Sequence, residues 1–358
     1  MGKKSYPILV INPGSTSTKL SLFEGNKEIW KTNVLHSQAD LAQCHELIDQ
    51  YPLRRDAVLK ALKMAGIEIK ELAAIISRGA PLKSLPGGTY HINDKMLDDL
   101  KHMRLQSPHI SFVGGMLARE LSKGTKIPVF IADPISVDEL EPLARYTGLP
   151  GVTRRSLWHA LNCRAAARQA ARKLKKDFDK LNLLVVHLGS GITVAALKKG
   201  KAVDVANANS EGPFSPERTG DLPAVELMEW MEKNQLTPRE MIKIVTRKGG
   251  MVAHLGTADG REVEERIKQG DKKALEVFQA MAYQIGKQVG ALAAVLKGNV
   301  DAIVITGGLA KWPHLVKEIK QYIAFIAQVL IVPGEEEMEA LALAALRVLE
   351  KKEKAHQY

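Results

Sequence analysis

Two stretches of this chain follow one plan, and that plan commits the chain to β-hairpins in two separate places. The first runs Ile8-Leu9-Val10-Ile11-Asn12-Pro13-Gly14-Ser15-Thr16-Ser17-Thr18-Lys19, stays apolar to Phe23 and turns at Gly25-Asn26-Lys27. The second runs Leu184-Val185-Val186-His187-Leu188-Gly189-Ser190-Gly191-Ile192-Thr193-Val194, stays apolar to Leu197 and turns at Lys199-Gly200-Lys201. Gly14 aligns with Gly189, and Gly25 with Gly200, in one register. Each copy reads as a buried strand, a tight turn rich in Gly and Ser/Thr, and a second strand. An ordinary hairpin explains either copy alone. Two copies together point to a fold of two related halves that close on one ligand.

The turns have the chemistry of a phosphate site. Small residues let the backbone approach an anion, and turn N–H groups and hydroxyls donate to its oxygens. Two familiar phosphate loops are excluded. A Walker loop needs G-x-x-x-x-G-K-[ST] and a following helix, whereas Lys19 is followed by Leu20 and more strand. A dinucleotide fingerprint needs G-x-G-x-x-G opening a helix, and Gly189-Ser190-Gly191 has Val194 where the third Gly belongs.

Composition bounds the function classes. The 358 residues suggest two domains. The net charge is +11, from 51 Lys+Arg against 40 Asp+Glu. The basic residues are scattered, with only short clusters such as Lys173-Leu174-Lys175-Lys176, and no helix-turn-helix or zinc module appears. That argues against a nucleic-acid partner and for a solvated surface that steers anionic substrates. Two cysteines, Cys44 and Cys163, fit a reducing compartment. After Met1-Gly2-Lys3-Lys4 the apolar run is too short for a signal peptide, and no stretch has the ~20 apolar residues needed to span a bilayer. The expectation is a cytoplasmic protein with no membrane partner.

Along the chain, helical pattern is expected at 38–49, 54–65, 93–104, 113–122, 158–176, 223–233, 238–246, 271–297 and 335–351. Buried strands are expected at 72–77, 128–132 and 301–308 besides the hairpins. Residues 81–88 and 207–222 read as Gly/Pro-rich loops. Interleaved strands and helices give an α/β architecture. The resulting domains are 1–155 with a C-terminal helix at 335–358, and 156–334.

The motifs resemble a known family. The first hairpin, Ser77-Arg78-Gly79, Asp133-Pro134, Trp158-His159-Ala160-Leu161-Asn162, His187-Leu188-Gly189-Ser190-Gly191, Gly212 to Gly220, Thr306-Gly307-Gly308 and Pro333-Gly334-Glu335-Glu336-Glu337-Met338 occur in order. Together they resemble the acetate/butyrate kinases of the acetate and sugar kinase/Hsp70/actin superfamily over nearly the whole chain. Pro13, Ser215-Pro216-Glu217-Arg218 and the modest length are closer to the butyrate kinases. Three departures stand out. Phe112-Val113-Gly114 replaces Asn-Leu-Gly, which bears on the acyl pocket. Ser190 replaces a Gly and Leu309-Ala310-Lys311 replaces Ile-Ala-Tyr or similar, which bear on phosphate and adenosine contacts.

The resemblance implies two duplicated domains of ribonuclease H-like (actin-like ATPase) type with a nucleotide cleft between them. It implies reversible transfer of phosphoryl from MgATP to butyrate or another short-chain carboxylate, giving acyl phosphate and ADP, in a homodimer or larger homo-oligomer. Such a carboxylate is already ionised at pH 7, so the difficulty is anion meeting anion rather than proton removal. Arg78 and Arg218 are implied to grip the carboxylate and the transferring phosphoryl, because a guanidinium is planar, always charged and bidentate. Asp133 is implied as a ligand of Mg²⁺ or of its water, with Glu336 as the second carboxylate. Glu335 and Glu337 fit the same alignment, and acidic residues at a helix N-terminus also need no metal to explain them. His159 is implied to donate to phosphoryl oxygens. Asn12, Ser15, Ser17 and Lys19 form the first phosphate turn, although Lys19 reads equally as an exposed hairpin lysine. His187, Gly189, Ser190 and Gly191 form the second turn. Asp259-Gly260-Arg261 and Gly307-Gly308 are implied for adenosine, and the Asp259 stretch reads equally as a plain helix start. The alternatives are a related ATPase, such as a sugar kinase or a chaperone, or a non-catalytic basic binding protein. A sugar kinase needs a base facing a hydroxyl, and a chaperone needs a peptide-binding domain for which no residues remain.

Overall fold

A computed structural model describes residues 5–358; the first four residues, at the start of the segment read as free of a targeting signal, lie outside them. The chain divides into two compact units, residues 1–137 with 336–358, and residues 138–335.

The first unit is built on β1 (Pro7–Pro13), β2 (Ser17–Glu24), β3 (Lys27–Leu35), α1 (Gln38–Ala42), α2 (Gln50–Met64), β4 (Ala74–Arg78), β5 (Thr89–His91), α3 (Asp94–Lys101), α4 (Phe112–Leu121) and β6 (Val129–Ala132). Its sheet order is β3-β2-β1-β4-β6-β5. β1, β4 and β6 run parallel, and β2, β3 and β5 pair antiparallel. Strand side chains alternate between faces. Leu9, Ile11, Ile75 and Ile131 therefore join α2, α3 and α4 in one core, while Ile8, Val10 and Ile76 face the C-terminal helix Glu337–Leu349. The expected helix at 38–49 is broken. α1 stops at Ala42, and only a short 3₁₀ turn, Leu47–Asp49, precedes α2. α1 buries no residue, so no apolar face carries it further.

The second unit contains α5 (Ala160–Leu174), β7 (Asn182–Leu188), β8 (Ile192–Lys198), β9 (Lys201–Val205), α6 (Ala224–Lys233), α7 (Pro238–Arg247), α8 (Gly250–Leu255), α9 (Gly260–Lys268), α10 (Lys272–Val295), β10 (Ala302–Gly307), α11 (Pro313–Ile323) and β11 (Val329–Pro333); the C-terminal helix is α12. Its sheet order is β11-β10-β7-β8-β9. Reading outward from β3 and from β9, the two sheets share a plan: three antiparallel strands in reverse chain order, then parallel strands. The fold is thus an α/β duplication of the actin-like ATPase type. α10 and α11 cover one face of the second sheet through Ile285, Val289, Leu315 and Ile319, and α5 packs on β7, β10 and β11.

The repeat is not in one register throughout. β1 and β7 correspond residue for residue, but the first turn spans four residues between Pro13 and Thr18, and the second spans three between Leu188 and Ile192. The second strands are therefore offset by one. Gly25 takes the first position of its two-residue turn and Gly200 the second, both with positive φ. The sequence alignment of Gly25 with Gly200 is a coincidence of turn chemistry, since either central position of such a turn favours Gly.

Candidate active site

The carboxyl ends of parallel strands are where α/β sheets present ligand groups. In the first unit, Asn12 lies near the end of β1, Arg78 ends β4 and Asp133 follows β6, with register pairs Ile11↔Ser77 and Arg78↔Ala132. These three candidates thus share one sheet edge. Asn12 Nδ2 donates to Glu337 Oε2 at 2.7 Å, and Arg78 Nη1 donates to the same oxygen at 3.1 Å. Glu337, the first residue of α12, is the carboxylate joined to them; Glu336 is the exposed N-cap residue of that helix.

Asp133 is 5% exposed, and its Oδ1 accepts from the Gly88 N–H at 2.8 Å while its own N–H donates to Gly88 O. Its φ is 39°, a left-handed backbone that Asp tolerates better than most residues but that still stores strain. Among the described residues no group of three or more His, Cys, Asp or Glu side chains gathers as a metal cage. Asp133, Glu336 and Glu337 each carry the hard carboxylate oxygens of the kind Mg²⁺ takes, one or two at a time with water completing the shell.

Ser15 and Lys19 are exposed, and Ser17 is half-buried. Lys19 pairs with Asn12 across β1 and β2, which puts the two side chains on one face. His109 also belongs here and was not singled out from sequence. Its Nδ1 accepts from the Ser111 N–H at 3.1 Å, so the ring proton sits on Nε2. Burial first, and then the nearby Arg78 charge, lower its pKa to about 4, with Glu337 opposing. Its place just before Phe112-Val113-Gly114 is the signal that could have found it.

In the second unit, His187 lies in β7, Gly307 ends β10, and Gly334-Glu335 follows β11. His159, before α5, stacks on His187 with ring centroids 4.2 Å apart, and its Nδ1 meets Thr193 Oγ1 at 2.9 Å. His187 is 1% exposed, its Nε2 lies 3.3 Å from Glu335 Oε1, and its Nδ1 is buried without a hydrogen-bond partner.

The loop before α6 folds onto the second turn: Ser215 Oγ and the Glu217 N–H both donate to Ser190 O. This puts the Arg218 guanidinium against Gly191, where a Cβ would lie 2.5 Å from Cζ. Any side chain there would have to displace the guanidinium. Arg218 Nη1 donates to Ala208 O at 2.7 Å, its Nε is buried without a partner, and burial lowers its pKa.

A cavity of about 470 Å³ is lined by Gly189, Ser190, Glu217, Gly308, Lys311 and Glu335 among others. Gly307, which precedes the lining residue Gly308, has an extended positive-φ backbone (96°), and a Cβ there would sit 2.3 Å from Leu188 O. Of the departures, Ser190 and Lys311 reach this cavity, whereas Phe112 is fully buried in the first unit's core. Asp259 caps α9 and pairs with Arg261 at 2.7 Å; hydrogen bonds from Arg261 hold its carboxyl at about 2. Both are exposed, and Gly260 is buried against the Trp312 ring. The neighbouring Ala258, rather than these three, lines the cavity.

The solved structures similar to this chain include the acetate kinase of Porphyromonas gingivalis, at 22% identity and TM-score 0.78, covering 96% of this chain and 100% of that one. The propionate kinase of Francisella tularensis matches at 17% identity and TM-score 0.76, covering 95% and 98%. An acetate kinase of Entamoeba histolytica matches at 16% and 0.74, covering 98% and 99%. These likenesses establish the fold. The profile of the Acetokinase family matches residues 148–329, half of the chain. The chain belongs to the acetokinase family, whose members are carboxylate phosphotransferases.

Proposed function

We propose that this protein is a butyrate kinase, moving the γ-phosphoryl group of MgATP reversibly to butyrate or a similar short-chain fatty acid. The observation that carries the reading is the Arg218 guanidinium, pressed against the second turn with an Nε that no protein group satisfies. A half-buried cation with a buried, open Nε donor favours an incoming anion. The preference for butyrate rests on Pro13 and Ser215-Pro216-Glu217-Arg218.

A carboxylate oxygen attacks phosphorus as the bond to ADP breaks. The nucleophile is already ionised, so the residues position and neutralise rather than abstract a proton. Arg78 orients the carboxylate, with Asn12 and His109 Nε2–H as neutral donors beside it. Arg218 and His159 donate to the transferring oxygens. The two Ser/Gly turns hold phosphate, and the cavity beside Gly308 takes adenosine, with Asp259-Gly260-Arg261 at its margin. Asp133 and Glu336 or Glu337 would hold Mg²⁺, which supplies charge neutralisation on the phosphate oxygens. Exposed Val225, Met228, Trp230 and Ile242 on the α6–α7 segment support a homodimer, and a cytoplasmic site fits the two free cysteines. Among the described residues no helix is long and apolar enough to cross a membrane.

With MgATP, butyrate and hydroxylamine the protein is expected to yield butyryl hydroxamate. A series of acids from acetate to isovalerate then ranks kcat/KM, each methylene being worth ~1 kcal/mol. No product above a heat-killed control for any acid sinks the kinase reading; acetate ranking first removes the butyrate preference.

A further inference from the structure

Among the described residues Arg54 is the one arginine that is fully buried, and no acid answers it. It projects from the second turn of α2 with 0% exposure. All five of its N–H groups are used. Nε and Nη2 donate to Gln50 Oε1 at 3.1 and 2.9 Å, Nη2 also to Ser15 O at 2.7 Å, and Nη1 to Ser17 O at 3.1 Å and Thr18 Oγ1 at 3.2 Å. Every acceptor is neutral, and three of the four belong to the Ser15–Thr18 turn. Burial lowers its pKa to about 10, which leaves it charged at neutral pH. A buried cation without a counter-ion is costly, and the fold keeps this one directly behind the first turn. The trans peptide plane then has a consequence. A Ser15 carbonyl fixed on Arg54 turns the Thr16 N–H the opposite way, onto the exposed side of the turn.

We propose that Arg54 is a positioning residue for phosphoryl binding: it locks the first turn from behind, and its unneutralised charge makes the exposed side a site for the phosphoryl group of ATP or of the acyl phosphate. This rests on the reading of that turn as a phosphate site. The counter-ion missing from the protein is the substrate's.

The test compares Arg54→Met, which keeps volume without charge, with Arg54→Lys, which keeps charge but loses the fork. The KM values for ATP, butyryl phosphate, ADP and butyrate are measured beside the melting temperature. Arg54→Met is expected to raise KM for ATP and butyryl phosphate by about tenfold or more, with ADP and butyrate within about twofold and Arg54→Lys intermediate. Millimolar methylguanidinium is expected to restore part of the loss in Arg54→Ala. If only one phosphoryl substrate responds, that substrate is the one held there. Equal changes in all four KM values, no difference between Met and Lys, or variants that do not fold would overturn the proposal and leave Arg54 a core residue. A Ser15→Ala/Ser17→Ala double variant separates the two readings. If it spares all four constants the turn is not a phosphate site. If it weakens the phosphoryl substrates while Arg54→Met does not, only the role of Arg54 falls.

Discussion

Gly191 and Arg218 form a pair in which one residue's absence of a side chain is the other's room. Arg218→Ala removes the guanidinium itself, and turnover is expected to fall by about two to three powers of ten or more with the fold intact. Gly191→Ala leaves the arginine present but displaced, because its new Cβ needs the space 2.5 Å from Cζ. A loss in kcat of similar sign, with a melting temperature near wild type in both, checks the pairing; near-normal turnover in either breaks it. Sequence made Arg218 visible through its Gly/Pro loop, but the dependence on Gly191 joins two distant segments and has no local signature. His36 and His109 carry a second expectation. Burial lowers the pKa of each to about 4, so the unfolded chain takes up protons near 6.5 while the folded one does not until about 4. Their contribution to stability is complete above the unfolded value and is lost as pH falls from about 6.5 to 4. A melting-temperature series should decline over that window, less steeply in His36→Gln.

The segment after α12 acts as a strap on β5. The His91 N–H donates to His356 O, the His356 N–H to Thr89 O, and Gly88 lies against the His356 ring. Glu353 Oε1 accepts from both Thr89 N and Thr89 Oγ1, and Oε2 accepts from Arg347 Nε at 2.7 Å. Gly88 in turn grips Asp133. Glu353→Ala strands three donors at once, and a cost of about 2 kcal/mol is expected, read as a lower urea midpoint with unchanged slope. An unaltered midpoint would mean solvent replaces the carboxylate freely. Nothing in the sequence announced β5. It has three residues, and its antiparallel partner is β6, some forty residues on. The long elements were legible for the opposite reason. α5 and α10 carry enough periodic apolar residues to bury a face, and β4 and β10 are runs of buried aliphatics. α1 failed because a helical pattern without a buried face does not hold, and the one-residue slip between the hairpins was hidden because loop length leaves no trace in strand composition.

At the scale of the whole molecule, the duplication was legible because both hairpins repeat their strands, while the order of the remaining strands required the structure. The net charge of +11 adds a long-range term to every encounter with ATP or an acyl phosphate. Salt shortens the reach of that field to about 10 Å at 0.1 M. Raising ionic strength from low to several tenths molar is expected to lower kcat/KM for ATP several-fold while kcat changes little. A flat response would assign the charge to solubility alone. The first unit is also discontinuous, since residues 336–358 complete a body begun by residues 1–137. During synthesis the ribosome must finish the whole of 138–335 before Glu337 can reach Asn12 and Arg78, or Glu353 can reach Thr89. The second unit is a single uninterrupted stretch that can fold as it emerges, whereas the first must wait with one face of its sheet uncovered. The half of the enzyme translated first is thus the half completed last.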